Sequence, residues 1–349
     1  MPPFSFDFYF NILYIKLNYF CQYTPKNMKT QEKNKKTHQI SIAPMLDWTD
    51  RHFRYFLRQI TKKAVFYTEM TAMPAILLGN REKLISYNDI EHPLILQIGG
   101  SHPEMMADCA KYAADYGYQG VNINAGCPSS RVQAGKFGAI LMKTPELVAD
   151  CVSSMLAKAN IPVSVKTRIC LSDVQGDGFK ELFHFATLMK NAGCHHLIVH
   201  ARKAKLNWSP KENRTEKLPL NYDVVYQLKK SFPDMIISIN GNILSLDKAQ
   251  EHLKHVDGAM IGRLAYGNPY ILKDVDQLFY QETTQPLSRV QVLENMLPYL
   301  EKNSTQLSII CPHLMGLFHG QPNAKIYKQI LASRDVSALK KFIKENNEN

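Results

Sequence analysis

Cys127 stands between Gly126 and Pro128 in the stretch NAGCPSSRVQAGKFGA, residues 124–139. A thiol in a short glycine-flanked loop can serve as a nucleophile, a metal ligand or a proton donor. The loop alone leaves all three open. A metal role finds little support: the seven cysteines include no CxxC pair, and no histidine lies within several residues of Cys127. That argues against a zinc ribbon or an iron–sulfur cluster. The odd number also argues against a disulfide framework and suits a reducing compartment.

Other reactive side chains fall at or just past the ends of apolar runs. Lys166 lies inside VSVKTR, residues 163–168. A lysine there must reach an open mouth or pair with an acid, because an isolated buried charge is costly. Gln97, Asn124, His200 and Arg202 occupy comparable positions. Taken singly, each has an ordinary reading: a loop hydrogen bond for Gln97, a structural histidine for His200. Their recurrence at successive run ends is the stronger signal. Asn240-Gly241-Asn242 and Gly262-Arg263 close two further runs. Glycines let successive backbone N–H groups approach an anion, and Arg263 can add a charge-assisted bond. These loops read as an anion site, although each is also compatible with a plain turn.

A scaffold must gather those run ends. Short β-rich runs occupy 40–45, 64–68, 94–98, 120–124, 163–168, 196–201, 235–240 and 258–262. Most are apolar nearly throughout, as strands covered on both faces must be. Helical patterns lie between them, at 103–117, 144–160, 223–232 and 246–253, several with proline at the start or glycine at the end. Eight strands alternating with helices over about 235 residues match the scale of a closed (β/α)8 TIM barrel, whose active groups sit at the C-terminal strand ends. A doubly wound sheet is the competitor, but no GxGxxG follows an early strand. Beyond Pro269 the pattern turns all-helical, with helices predicted over 270–280, 289–302, 307–320, 324–333 and 337–346. The expected organisation is an extension over 1–37, a barrel over 38–275 and a C-terminal helical domain over 280–349.

The extension carries FSFDFYFNILYIKLNYF, interrupted by Asp7, Asn11, Lys16 and Asn18. It is too broken to span a membrane and lacks the features of a secretory signal. Met28 is an alternative start. The chain of 349 residues is 45% hydrophobic and 21% charged, which suits a soluble globular protein with a full core. Its formal net charge of +11 fits a polyanionic partner, or a host whose proteins are generally basic.

Several long motifs closely resemble the bacterial tRNA-dihydrouridine synthases, nearest to the subfamily acting on positions 20 and 20a of the D-loop. They are APMLDWTDRHFRYFLR (43–58), YTEM (67–70), HPLILQIGG (92–100), NINAGCPSSRVQAGKFGAILM (122–142), VKTRI (165–169), HARKAKLNWSPKENR (200–214), SINGNI (238–243) and HVDGAMIGRLAYGNP (255–269). The resemblance covers roughly residues 38–335. It implies an FMN-dependent barrel with a helical tRNA-binding domain, reduced by NADPH and acting on the C5–C6 double bond of uridine. By motif match, Cys127 gives a proton to C5 while reduced flavin gives hydride to C6. Pro44, Met45 and Leu46 pass beside the flavin and Gln97 bonds its edge. Lys166 stabilises charge near N1 and O2, and His200 also contacts FMN. Asn240, Gly241, Asn242, Gly262 and Arg263 hold the phosphate end. Asn124, Arg202, Lys211 and Arg214 contact tRNA, joined by Lys325 and Lys328 of the helical domain. The resemblance implies no metal, no membrane, no obligate protein partner and a cytoplasmic location.

The chain departs from the family pattern in three places. Asn242 replaces a usual glycine, and asparagine tolerates the left-handed conformation better than most residues. Leu264 replaces a usual Glu. Pro312 and lysines stand in 312–330 where arginines are more usual. Two alternatives are an FMN barrel acting on a small pyrimidine and a tRNA-binding protein without catalysis. The basic loop and added helices disfavour the first; intact Cys127, Lys166 and His200 disfavour the second.

Overall fold

The computed structural model describes residues 40–347. The extension over 1–37, the alternative start at Met28, and Cys21 lie outside the described residues. The strands are β1 (Ile40–Ile42), β2 (Val65–Tyr67), β3 (Thr71–Ala72), β4 (Leu94–Gly99), β5 (Gly120–Ala125), β6 (Val163–Arg168), β7 (His196–His200), β8 (Ile236–Asn240) and β9 (Gly258–Ile261). β1, β2 and β4 through β9 pair in parallel in that order, and β9 returns to β1. The barrel expected from the sequence is therefore present and closed. β3 was not expected. It resumes pairing after the break at 68–70, setting Thr71 against Ile98 and Ala72 against Gly99.

Strand alternation explains the two cores. Outward residues such as Leu96, Ile123, Val165, Val199 and Ile239 join the large cluster between sheet and helices. Inward residues Ala43, Val65, Tyr67, Ile95, Ile198 and Met260 form a separate apolar plug in the lumen. Other inward positions are polar and buried, among them Gln97, Asn122, Asn124, Ser164, Arg168, His196, Ser238 and Asn240. Parity of two along each strand produces both faces from one run.

Helices Pro103–Asp115, Pro145–Lys158, Tyr222–Ser231 and Leu246–Leu253 fall within two residues of the predicted segments. Arg51–Ile60 adds a further helix, whose first turn is capped by Asp50 Oδ1 accepting from His52 N and Phe53 N, both at 2.9 Å. The helix predicted over 270–280 is two pieces, a 3-10 turn Pro269–Asp274 and an α-helix Val275–Tyr280. The one predicted over 307–320 stops at Leu314. Pro312 lies inside that helix, and beyond its end Gly316 stands so close to Pro269 that a Cβ there would sit 2.6 Å from that ring. Arg289–Lys302, Ala324–Ser333 and Val336–Asn347 complete the chain.

The outer apolar cluster continues without a break from Phe53 in the barrel shell to Leu293, Leu314 and Ile343. Tyr55 stacks on Tyr299 with centroids 3.8 Å apart, and the Tyr299 hydroxyl lies 2.7 Å from His52 Nδ1. Arg54 Nε meets Glu91 Oε2 at 2.7 Å in a buried ion pair. Among the described residues no helix is long and apolar enough to cross a membrane.

Candidate active site

Register brings the reactive strand ends together. Asn124 pairs with Lys166, Arg168 with His200, and His200 with Asn240. Beyond Asn124 the chain turns tightly. Asn124 Oδ1 accepts from Gly126 N at 3.1 Å and from Cys127 N at 2.9 Å. Cys127 O then accepts from Ala139 N at 2.8 Å. Gly138 has φ +78, and a Cβ there would lie 2.6 Å from Cys127 O. The thiol is thereby held half-buried at the rim. The other described cysteines, Cys109, Cys151, Cys170, Cys194 and Cys311, are buried. Burial pushes their thiols up, to about 12 for Cys109, Cys151 and Cys194. Cys127 is the described cysteine placed to do chemistry.

A chain of amides lies beneath the thiol loop. Asn124 Nδ2 donates to Gln97 Oε1 at 2.9 Å, and Gln97 Nε2 to Asn122 Oδ1 at 2.7 Å. Asn122 Nδ2 donates to Ser164 Oγ at 2.9 Å, whose hydroxyl donates to Val121 O at 3.1 Å. Because Asn124 Oδ1 receives two backbone N–H groups, the direction of every later bond follows. Gln97 keeps one Nε2 proton for a ligand.

Cations line the same mouth. Lys166 is half-buried and makes no hydrogen bond or ion pair among the described residues. Burial first, and then Arg168, depress its ammonium to about 8, with Cys127 opposing. Burial holds His200 well below the ordinary histidine range, reinforced by Arg168, Lys166, Arg202 and Arg214. Its ring is neutral at pH 7. Arg168 is buried, donating from Nε to Gly126 O at 2.9 Å and from Nη1 to Lys203 O at 3.1 Å.

The last two loops present donors. Gly241 has φ +133 and Asn242 φ +52, so asparagine does adopt the left-handed conformation. Asn242 Oδ1 accepts from Arg263 Nη2 at 3.2 Å. Asn240 Nδ2 is engaged with Met260 O at 2.7 Å. The backbone N–H groups of Asn242, Gly262 and Arg263 enter none of the turn or loop hydrogen bonds among the described residues. A Cβ on Gly262 would meet nothing closer than Ala43 Cβ and Met45 Sδ at 3.8 Å. Free amides, open space and an arginine suit a phosphate. At the β1 exit, Met45 O accepts from Trp48 N at 3.1 Å and Thr49 N at 2.9 Å. That turn leaves Leu46 66% exposed beside Pro44 and Met45. This donor set fits a phosphorylated flavin: an unpaired cation, an amide proton and a phosphate cradle around one mouth.

Residues 41–348 match the family model described as Dihydrouridine synthase (Dus). The chain belongs to the dihydrouridine synthase family. It is 48% identical over 303 residues to the tRNA-dihydrouridine(20/20a) synthase of Synechocystis sp., covering 86% of this chain and 90% of that one. It is 52% identical over 297 residues to the enzyme of the same name from Shewanella oneidensis, covering 84% of this chain and 88% of that one. Among solved structures, a 2-naphthoyl-CoA reductase complex aligns with TM-score 0.50 at 10% identity, over 68% of this chain and 50% of that one. At that identity the likeness concerns fold alone.

In this dihydrouridine synthase, Lys211 and Arg214 are exposed on the loop after β7, and Lys325 and Lys328 on helix Ala324–Ser333. The buried Asn213 organises that loop, accepting from Lys205 N at 2.8 Å and donating to Lys205 O at 2.9 Å. Two residues expected at the RNA surface are engaged internally. Asn124 carries the Cys127 loop. Arg202 is buried and donates to Thr215 O at 2.6 Å and to Leu218 O. Sequence reasoning gave no role to Arg168, Asn122, Ser164 or Gly138. Arg168 alone carried a signal, its shared parity with Lys166 in one strand. Among the described residues no three His, Cys, Asp or Glu side chains could hold a metal. A cavity of about 540 Å³ is lined by Met142, Glu146, Arg168, Ile169, Asp173 and His184. None of the proposed cofactor residues borders it.

Proposed function

We propose that this chain reduces the C5–C6 bond of uridine to give 5,6-dihydrouridine at positions 20 and 20a of the tRNA D-loop, using FMN and NADPH. The observation that carries the reading is the half-buried Cys127 thiol, fixed by Asn124 at a mouth that also holds Lys166 and His200. The family and the names of the Synechocystis and Shewanella relatives support the same substrate.

FMN, once bound and reduced by NADPH, supplies hydride chemistry that amino-acid side chains lack. The chain's own residues bind, orient and protonate. Asn240-Gly241-Asn242 and Gly262-Arg263 would hold the phosphate through backbone N–H groups and the guanidinium. Pro44, Met45 and Leu46 would lie beside the ring. Gln97 would donate its remaining amide proton to the ring edge. Lys166 would offset negative charge, and neutral His200 would add a contact without adding a cation. Cys127 donates the proton to C5 from Sγ, acting as general acid. The target uridine must leave the RNA stack to reach the mouth. Lys211, Arg214, Lys325 and Lys328 neutralise phosphates during docking, while Asn124 and Arg202 serve the loops from inside. This chemistry needs no metal and no obligate protein partner. Its unpaired thiols suit the reducing cytoplasm.

The test is reconstitution with FMN, NADPH and unmodified tRNA, with dihydrouridine mapped by position. Product at 20 and 20a is expected. Cys127→Ala should keep FMN and tRNA binding and lose most turnover. Failure to take up FMN, or full dihydrouridine at both positions in tRNA from a deletion strain, refutes the proposal.

A further inference from the structure

Arg168 is 5% exposed, and among the described residues no carboxylate forms an ion pair with it. Its charged neighbours are themselves cations, Lys166, Arg202 and Arg214. A guanidinium taken out of water without an acid is costly. What it gains instead are hydrogen bonds to two loops. Nε donates to Gly126 O, one residue before Cys127, and Nη1 to Lys203 O, just past β7.

The second attachment point is rigid. Ala204 N donates to Cys170 O and Ser172 N to Ala204 O, both at 2.8 Å. Leu171 and Ala204 form a parallel bridge. Lys203 Nζ donates to Val174 O and Gly176 O, both at 2.7 Å. The loops after β6 and β7 are thus joined by both backbone and side chain. The first attachment point is also held by Asn124 Oδ1 from below and, one residue on, by Ala139 N donating to Cys127 O. The planar fork of arginine reaches two carbonyls in fixed directions, which a lysine ammonium cannot reproduce.

We propose that Arg168 is a positioning residue that clamps the Cys127 loop to the loop after β7. The place of the thiol is then set by the same segment that carries Lys211 and Arg214. The inference rests on the reading that Cys127 delivers the proton.

The test compares FMN-loaded full-length wild type with Arg168→Lys. Reduction of the flavin by NADPH should stay within about twofold, because the clamp lies on the acid side of the reaction. Reoxidation by tRNA should fall about 100-fold, the cost of a misplaced reacting group. Alkylation of Cys127 by iodoacetamide is read on its peptide by mass spectrometry across pH. Its high-pH plateau should rise about fivefold as the loop opens more often. A purely structural role would lower stability and leave that plateau unmoved. Wild-type reoxidation, or an unchanged plateau, overturns the clamp. If Arg168→Lys does not retain FMN, hydrogen exchange of the wild type decides. The amides of Cys127 and Ala204 should show protection within about threefold of each other, as one opening unit. A gap above about tenfold overturns it. Retained turnover in Cys127→Ala would instead refute the proton-donor reading, and the exchange measurement would still judge the clamp.

Discussion

Gly138→Ala probes how closely the thiol loop is walled in. The new Cβ would stand 2.6 Å from Cys127 O and 2.5 Å from Val132 Cγ1. Neither distance is tolerable for carbon. The backbone there has φ +78, a left-handed conformation costing an L-residue about 1–2 kcal/mol. Relieving the overlap costs about 1–3 kcal/mol more. Together they predict a loss of about 2–5 kcal/mol. If the Cys127 carbonyl moves away, the Ala139 N–H bond is released and the thiol moves with it. The penalty then shifts from stability toward turnover, by about 100-fold for an ångström of displacement. Gly176→Ala is the control. Gly176 has φ +70 with no atom within 4 Å of the added Cβ, so it bears the backbone cost alone. Urea unfolding of both variants, followed by circular dichroism, isolates the packing cost as their difference. Single-turnover reduction of tRNA reads the displacement. If Gly138→Ala matches Gly176→Ala in stability and wild type in turnover, the loop is not confined as described.

Burial lowers Lys166 from 10.5 to about 8, so between those values the unfolded chain binds more protons than the folded one. Lys166 therefore makes stability of the flavin-free protein rise with pH across that window, and its penalty is fully present below about 8. Lys166→Met should remove that contribution and raise stability at neutral pH, while weakening FMN in a fluorescence titration. Asn124→Ala deprives two N–H groups of their acceptor and should cost about 1–3 kcal/mol in urea unfolding, with turnover falling as well. The double change Lys211→Glu, Arg214→Glu should raise KM for tRNA and flatten its salt dependence, leaving NADPH-driven flavin reduction intact. Arg54→Met leaves Glu91 buried without its partner and should lower unfolding free energy by about 3–5 kcal/mol.

The barrel was readable because strands covered on both faces must be apolar, and little else in a chain is. Lys166 and His200 stood out because charge inside such a run demands a reason. β3 was not readable: Thr71 and Ala72 carry no pattern, and their pairing depends on Ile98 and Gly99 being nearby in space. Asn124 and Arg202 were assigned tRNA contacts by motif match, and their internal hydrogen bonds were not readable. Their partners are backbone atoms of Gly126, Cys127, Thr215 and Leu218, which no residue type announces. The helix over 307–320 was read too long because its apolar spacing continues past Leu314, where the α-helix ends.

The unbroken packing of Tyr55 and His52 against Tyr299 bears on how such proteins diversify. A graft that exchanged only the residues after 280 with those of a relative would sever a matched seam, since half of that seam belongs to helix Arg51–Ile60. The heritable module that includes the C-terminal helices is therefore discontinuous in the chain. Recombination that respects it must carry a segment from near the beginning together with the end.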